Sequence, residues 1–291
     1  MRESENGPVM RAQLGDAAVT IVSDGSVAFP VDFFYAEAPA EERAALRAAF
    51  GQAPDTHRMA ANVMVLDLDG RRILIDAGGG GKFQPSGGAL PESLQAAGIA
   101  PESIDLVVFT HLHPDHLWGV TDADNAAPAF PEAGCIAPET ELAFWRQDGL
   151  AERMPNEFAA WIARETRAHL DRIADRMHPV APGDAIIDGL RYRPSPGHTP
   201  GHAAIVIVRG DETLVVTGDV LTDPVAAFAR PDWPLGVDAD AEQGAATRRE
   251  LLESLAGARA RIFANHLPGG GLGHVAKVDG GYRWVPADWA V

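Results

Sequence analysis

The chain has 291 residues, 46% of them hydrophobic and 22% charged, with 41 acidic against 24 basic side chains and a formal net charge of −17. That length allows a sizeable core, and so acidic a surface repels the phosphodiester backbones that proteins bind through Lys and Arg, which counts against a nucleic-acid partner. The single cysteine, Cys135, excludes an intramolecular disulfide and reads as a small buried residue. The stretch Met1–Pro8 holds no apolar h-region, and no run approaches the roughly 20 apolar residues of a membrane helix, so the expectation is a cytoplasmic protein with no membrane partner.

In chain order, apolar runs predict strands at Val19–Val22, Val63–Leu66 and Arg72–Ile75, the last leading into Asp76. The glycine run Gly78–Gly81 lacks both the G-K-[ST] ending and the G-x-G-x-x-G context of nucleotide loops, so it reads as backbone passing close to bound metals, where a Cβ would clash. A helix is predicted over Pro91–Ala97, with Pro at its first position and Gly98 as its stop, and a strand over 105–109. Residues 128–182 read as a helical insertion, a packed connector that could also roof a cleft. Within it, Asn156–Met177 places Phe158, Ile162, Leu170, Ile173 and Met177 at helical spacing. Strands follow at 203–208 and 213–217, then a helix from Ala241 to about Leu255 begun by the capping pair Asp240 and Gln243, then a strand at 261–264. Strands followed by a helix, twice over, predict an α+β fold: a single domain over 1–291, built as a four-layer αββα sandwich of two mixed sheets with outer helices.

The chemistry concentrates in His111-Leu112-His113-Pro114-Asp115-His116, directly behind the apolar strand Leu106–Phe109. Neutral imidazoles and carboxylates are the donors a divalent ion such as zinc takes. His111 and His113 can face one point while Asp115 and His116, across the turn at Pro114, face a second, so the spacing suggests two adjacent metals. Further candidates each sit just beyond a strand: His198 in Gly197–His202, Asp219 after Leu214–Thr217, and His266 after Arg261–Asn265. His202 reads as a hydrogen-bonding support, and Asp76 as a buried acceptor for a ligand imidazole or for loop amides. Asp115 reads as a ligand with late proton transfer as a second duty. His57, His169 and His178 have no supporting neighbours and default to surface or capping roles, and His274 stays open between cleft and structure.

With Asp76, the H-x-H-x-D-H run, His198, Asp219 and His266 in this order over residues 62–266, the chain resembles the metallo-β-lactamase superfamily. The resemblance implies one metal on His111, His113 and His198, another on Asp115, His116 and His266, and Asp219 bridging both. Gly271–Val275, Gly281–Pro286 and Phe144-Trp145 are similar to the methyl parathion hydrolase branch, related to lactone hydrolases. The implied activity is hydrolysis of small apolar esters or lactones, with phosphotriesters also open, by a hydroxide held between two zinc ions, with Asp115 and Asp219 as catalytic carboxylates. Phe83, Phe144, Trp145 and Phe158 are the candidate pocket walls. The alternatives are a glyoxalase II-like thioesterase, for which the last thirty residues hold only Lys277 and Arg283 as basic groups, and an iron-holding redox protein on the same fold. A small-molecule substrate is expected, and a homodimer is left open.

Overall fold

Strands buried on both faces read as unbroken apolar runs, because alternate residues serve two different cores. The computed structural model describes residues 9–122, 124, 126–258 and 260–287, so the Met1–Pro8 stretch considered for a leader lies outside the described residues. The first sheet takes its strands in chain order: β1 Met10–Leu14, β2 Ala17–Pro30, β3 Thr56–Leu68, β4 Arg71–Ile75, β5 Leu106–Val108, β6 Gly134–Pro138 and β7 Met177–Val180. β1 to β4 form an antiparallel meander, and β4 to β7 run parallel. The second sheet holds β8 Ala185–Ile187, β9 Leu190–Pro194, β10 Ala203–Arg209, β11 Glu212–Val216, β12 Arg261–Phe263, β13 Leu272–Val278 and β14 Gly281–Pro286, in the order β14 to β8. Only β11 and β12 pair in parallel there.

Between the sheets, Met64, Leu66, Ile73 and Ile75 meet Ile205, Ile207, Leu214 and Val216. Their sequence neighbours turn the other way. Val63, Val65 and Leu74 pack under the helices Leu90–Ala97, Glu139–Trp145 and Glu157–Arg172, while Ala204, Val206 and Val215 pack under the helix Ala241–Ala258. This is the αββα sandwich. Each fully buried Val, Leu or Ile contributes roughly 1.5–3 kcal/mol to holding the layers together. Among the described residues no helix is long and apolar enough to cross a membrane.

The two halves repeat one device: an antiparallel pair, a helix, then a parallel strand, as in β3–β4–β5 and β10–β11–β12. Both parallel strands are three residues long and end at the same edge, where the functional loops begin. Gly98 stops its helix in the left-handed conformation at φ 77°, although Pro91 occupies the second helical position rather than the first. Asp240 Oδ1 accepts the Gln243 N–H at 2.9 Å, the predicted cap.

Residues 128–182 differ from the helical expectation, because they also donate β6 and β7 to the first sheet. Asn156 caps the long helix through the Ala159 N–H, but the helix ends at Arg172 and Met177 starts a strand. Its buried face is Ala160, Ala163, Thr166, His169 and Leu170, whereas Phe158 is 50% exposed. Small side chains are needed on that face because the Trp118 ring lies against it. The Trp118 indole N–H donates to Thr166 Oγ1 at 3.1 Å, and its ring stacks on His169 with centroids 5.4 Å apart.

His57 and His169, expected at the surface, are both 2% exposed, while His178 is exposed as expected. Burial, helped by the charge of Lys82, pushes the His169 pKa from 6.5 down to about 4. The unfolded chain therefore takes up a proton that the folded protein refuses, and stability declines as pH falls from about 6.5 to about 4. The urea midpoint of the metal-free protein should fall less across this window in His169→Gln than in the parent. An unchanged slope would assign the acid sensitivity to other groups.

Candidate metal centre

The predicted ligands converge because the first sheet ends at β4 and β5 and the second at β11 and β12 on the same side. His111, His113, Asp115 and His116 follow β5, His198 lies in the β9–β10 loop, Asp219 follows β11 and His266 follows β12. Three groups of donor atoms result, each within 4.8 Å of one another: His111, His113 and His198; Asp115, His116 and His266; and His111, His116 and Asp219. The third group joins one member of each of the first two through Asp219. Its Oδ1 lies 3.1 Å from both His116 Nε2 and His266 Nε2, and its Oδ2 lies 3.2 Å from His198 Nε2. All seven residues are buried except His113 and Asp115, which are half-buried and so mark the open side.

These atoms fit divalent cations. His113 Nδ1 sits 2.8 Å from His198 Nε2 and 3.2 Å from His111 Nε2, so three imidazole nitrogens face one point. His116 Nε2, His266 Nε2 and Asp219 Oδ1 are buried without a hydrogen bond, an arrangement that a shared cation would satisfy.

The far sides of His116, His198 and His266 are pinned, which sets their tautomers and directions. His116 Nδ1 lies 2.9 Å from Asp76 Oδ2, His198 Nδ1 lies 2.9 Å from Asp238 Oδ1, and His266 Nδ1 donates to the Ala60 carbonyl at 2.7 Å. Asp76 also accepts the Thr110 N–H at 2.8 Å and the Asn265 side-chain N–H at 3.1 Å. It holds φ at 60°, a conformation a non-glycine residue rarely adopts, and its network keeps it there. His202 Nε2 accepts the Asp219 N–H at 3.0 Å, and burial depresses its pKa to about 3, so it stays a neutral acceptor behind the bridging residue. In the glycine run a Cβ on Gly78 would overlap Asp24 Cγ at 2.5 Å, whereas one on Gly79 would stand in ordinary contact 3.6 Å from Asp115 Cα, so the crowding there comes from Asp24 and not from the donor cluster.

Four supports carry no motif. Asp238 stands 40 residues from His198 in sequence and also receives the buried Arg248 guanidinium at 3.2 Å. Asp24 accepts the Gly79, Gly88 and Leu90 N–H groups, and burial raises its pKa to about 6. Thr110 and Asn265 each adjoin a ligand, and that adjacency is the one signal that could have flagged them.

Of the aromatic wall candidates, Trp145 is corrected. It is 3% exposed, its indole N–H donates to Glu141 Oε1 at 2.7 Å, and its ring edge backs His113 with centroids 5.7 Å apart. A fully packed ring presents no face to a substrate. Phe158 stands outside, half exposed against Trp161. Phe83 and Phe144 are half-buried, and Phe83 meets the Trp118 ring edge-on close to Gly79. His274 pairs with Arg261 at the start of β12, the end opposite to the one from which His266 extends.

Trp145→Ala should lower stability by about 3–5 kcal/mol in denaturant unfolding, through the cavity it leaves. Asp238→Ala should weaken metal binding roughly 10–100-fold in chelator competition, because His198 loses its anchor. In the metal-free protein burial opposes a proton on His198, but Asp219 and Asp238 outweigh it and lift the pKa to about 9. Metal loading near neutral pH should therefore release protons, and release from this group should fall as pH rises past about 9, as titration in weak buffer would read.

Residues 58–266 match the family described as the metallo-beta-lactamase superfamily. Among solved structures, AidC, described as a dizinc quorum-quenching lactonase in complex with a product, is similar with a TM-score of 0.91 and 27% identity, covering 99% of this chain and 100% of that one. The hydrolase AbOPH is similar with a TM-score of 0.88 and 26% identity, covering 97% and 98%. The acyl-coenzyme A thioesterase MBLAC2 of Bos taurus is 27% identical over 176 residues, 56% of this chain and 59% of that protein. Ribonuclease Z of Aeropyrum pernix is 36% identical over 67 residues, 23% of this chain and 19% of that protein. The matches thus span less than two thirds of the length of these curated relatives. Taken with two seven-stranded sheets and a ligand cluster at their shared edge, the match over residues 58–266 establishes that the chain belongs to the metallo-beta-lactamase superfamily.

Proposed function

We propose that this protein is a dinuclear metal-dependent hydrolase of small, uncharged lactones or esters, with phosphotriesters as further substrates of the same site. The observation that carries the reading is the division of five imidazoles and Asp115 into two groups, with Asp219 reaching both through its two oxygens. Likeness to AidC over nearly the whole length of both chains supports the lactone class. The donor set, nitrogen-rich with two carboxylates, suits zinc.

Two such ions would supply a nucleophile at neutral pH and a Lewis acid for the electrophile's oxygen. His111, His113 and His198 would hold one ion; Asp115, His116 and His266 would hold the other. Asp219 has one oxygen toward each group, so its charge would offset repulsion between two cations held there. Asp115, on the open side with Oδ2 3.4 Å from His266 Nε2, is the carboxylate placed to take a proton and return it to the departing oxygen. Phe83 and Phe144 are the half-buried aromatics left to line an apolar wall. No Ser–His–Asp arrangement is required.

The similarity to an acyl-coenzyme A thioesterase favours a second reading, thioester hydrolysis by the same machinery. Acyl-homoserine lactones, aryl esters, phosphotriesters and acyl-coenzyme A thioesters, offered in parallel to the zinc-, cobalt- and manganese-loaded protein, separate the two. Lactone or ester turnover above the others is expected. Preferential turnover of thioesters would favour the second reading, and efficient cleavage of RNA would overturn both. Elemental analysis should approach two metal equivalents per chain. Asp219→Ala should lose at least one of them and several orders of magnitude in kcat, and full activity with full metal content would remove the bridging assignment.

A further inference from the structure

The helix Glu139–Trp145 supplies no predicted ligand, yet near its start it carries Glu141, a side chain with no exposed surface. Glu141 Oε1 accepts the Leu112 N–H at 3.0 Å and the Trp145 indole N–H at 2.7 Å. Its Oε2 accepts the Thr199 hydroxyl at 2.6 Å and the Gly201 N–H at 3.0 Å. Leu112 stands between His111 and His113, and Thr199 and Gly201 follow His198 in the loop that ends at His202. One carboxylate therefore ties together the two loops that present His111, His113 and His198. All four partners are donors, which is the match an ionised, acceptor-only group needs.

The packing around it leaves no slack. A Cβ on Gly201 would lie 2.0 Å from the Glu141 backbone N, so the loop rests directly on the first turn of this helix. Leu112 and Thr199 are themselves buried, so a donor released by Glu141 has no water to turn to. The Trp145 ring that backs His113 hangs from the same oxygen as the Leu112 amide.

We propose that Glu141 is a positioning residue for the first metal group, clasping the His111–His113 segment to the His198 loop so that three imidazole nitrogens meet at one point. The proposal rests on the dinuclear reading above. It gives residues 128–182 a part in the site without a ligand of their own. In the second group His116 is held by Asp76 and His266 by the Ala60 carbonyl, so loss of the Glu141 clasp should act on one metal and not on both.

The test is metal release to a chelator from the zinc-loaded protein, with steady-state kinetics on the best substrate of the panel. Glu141→Gln keeps the shape but turns an amide N–H₂ toward two donors, and Thr199→Val removes a single donor. Both variants should release one equivalent roughly 10–100-fold faster than the parent while retaining the other at the parent rate. kcat should fall with KM nearly unchanged, and Thr199→Ser should restore parent behaviour. Parent-like release of both equivalents would overturn the proposal, as would joint release of both in step with a lowered melting temperature. If Glu141→Gln does not fold, Thr199→Val and Thr199→Ser decide by the same criteria. A parent that holds fewer than two equivalents removes the dinuclear reading, whereas a parent with two and variants indistinguishable from it removes the Glu141 assignment alone.

Discussion

Seven electron-pair donors aimed at one small volume are the constraint on which the rest of the structure depends. His113 Nδ1 lies 3.2 Å from His111 Nε2 and 2.8 Å from His198 Nε2, separations at which ring nitrogens repel unless a proton or a cation stands between them. Each ligand must then be held from behind by a bond strong enough to keep it from turning away. The anchors come from separate parts of the chain: Asp76 after β4, the Ala60 carbonyl inside β3, Asp238 ahead of the last long helix, and His202 in the β9–β10 loop. Rotating His116, His198 or His266 out of place therefore breaks a buried hydrogen bond, whose loss costs about 1–3 kcal/mol. The layered sandwich is the frame that brings these anchors to a common edge.

Backbone chemistry at that edge follows from the crowding. Asp76 keeps a left-handed conformation because its carboxylate is engaged by His116, Thr110 and Asn265 at once. Gly218, beside Asp219, could carry no side chain, since a Cβ would stand 2.5 Å from His202 Nε2. Gly197, at φ 127°, lies so close to Gly244 that a Cβ would fall 2.3 Å from its backbone N. The loops are thus packed against one another as tightly as core side chains.

The acids near the centre fall into distinct roles. Asp115 and Asp219 face the donor cluster, Asp76 and Asp238 orient its imidazoles, Asp24 ties down the glycine run, and Glu141 joins two ligand loops. Hydrogen bonds from backbone and side-chain donors match most of this charge, and Arg248 completes the set beside Asp238. A carboxylate with all its lone pairs occupied is a rigid fixture. One with a lone pair free and facing the cluster can take a cation or a proton. Geometry, not residue type, assigns each acid to one class or the other.

The sequence by itself determined the strands with two buried faces, the caps at Gly98 and Asp240, and the run of His111, His113, Asp115 and His116. Each of these is a local pattern whose parts lie within a few residues of one another. It also exposed Asp219 and His266, because each follows an apolar strand, and His198, in the turn-rich loop ahead of another. It misplaced Trp145, which it took for a cleft wall, and ran the long helix through Ile173 into what is β7. Aromatic and apolar spacing alone does not tell a solvent-facing ring from one packed under a ligand. Glu141 and Asp238 were decided only by the tertiary structure: their partners lie 29, 58 and 60 residues away for the first and 40 for the second. A hydrogen bond across such a separation depends on where two loops come to rest, and that is set by how the sheets and helices pack.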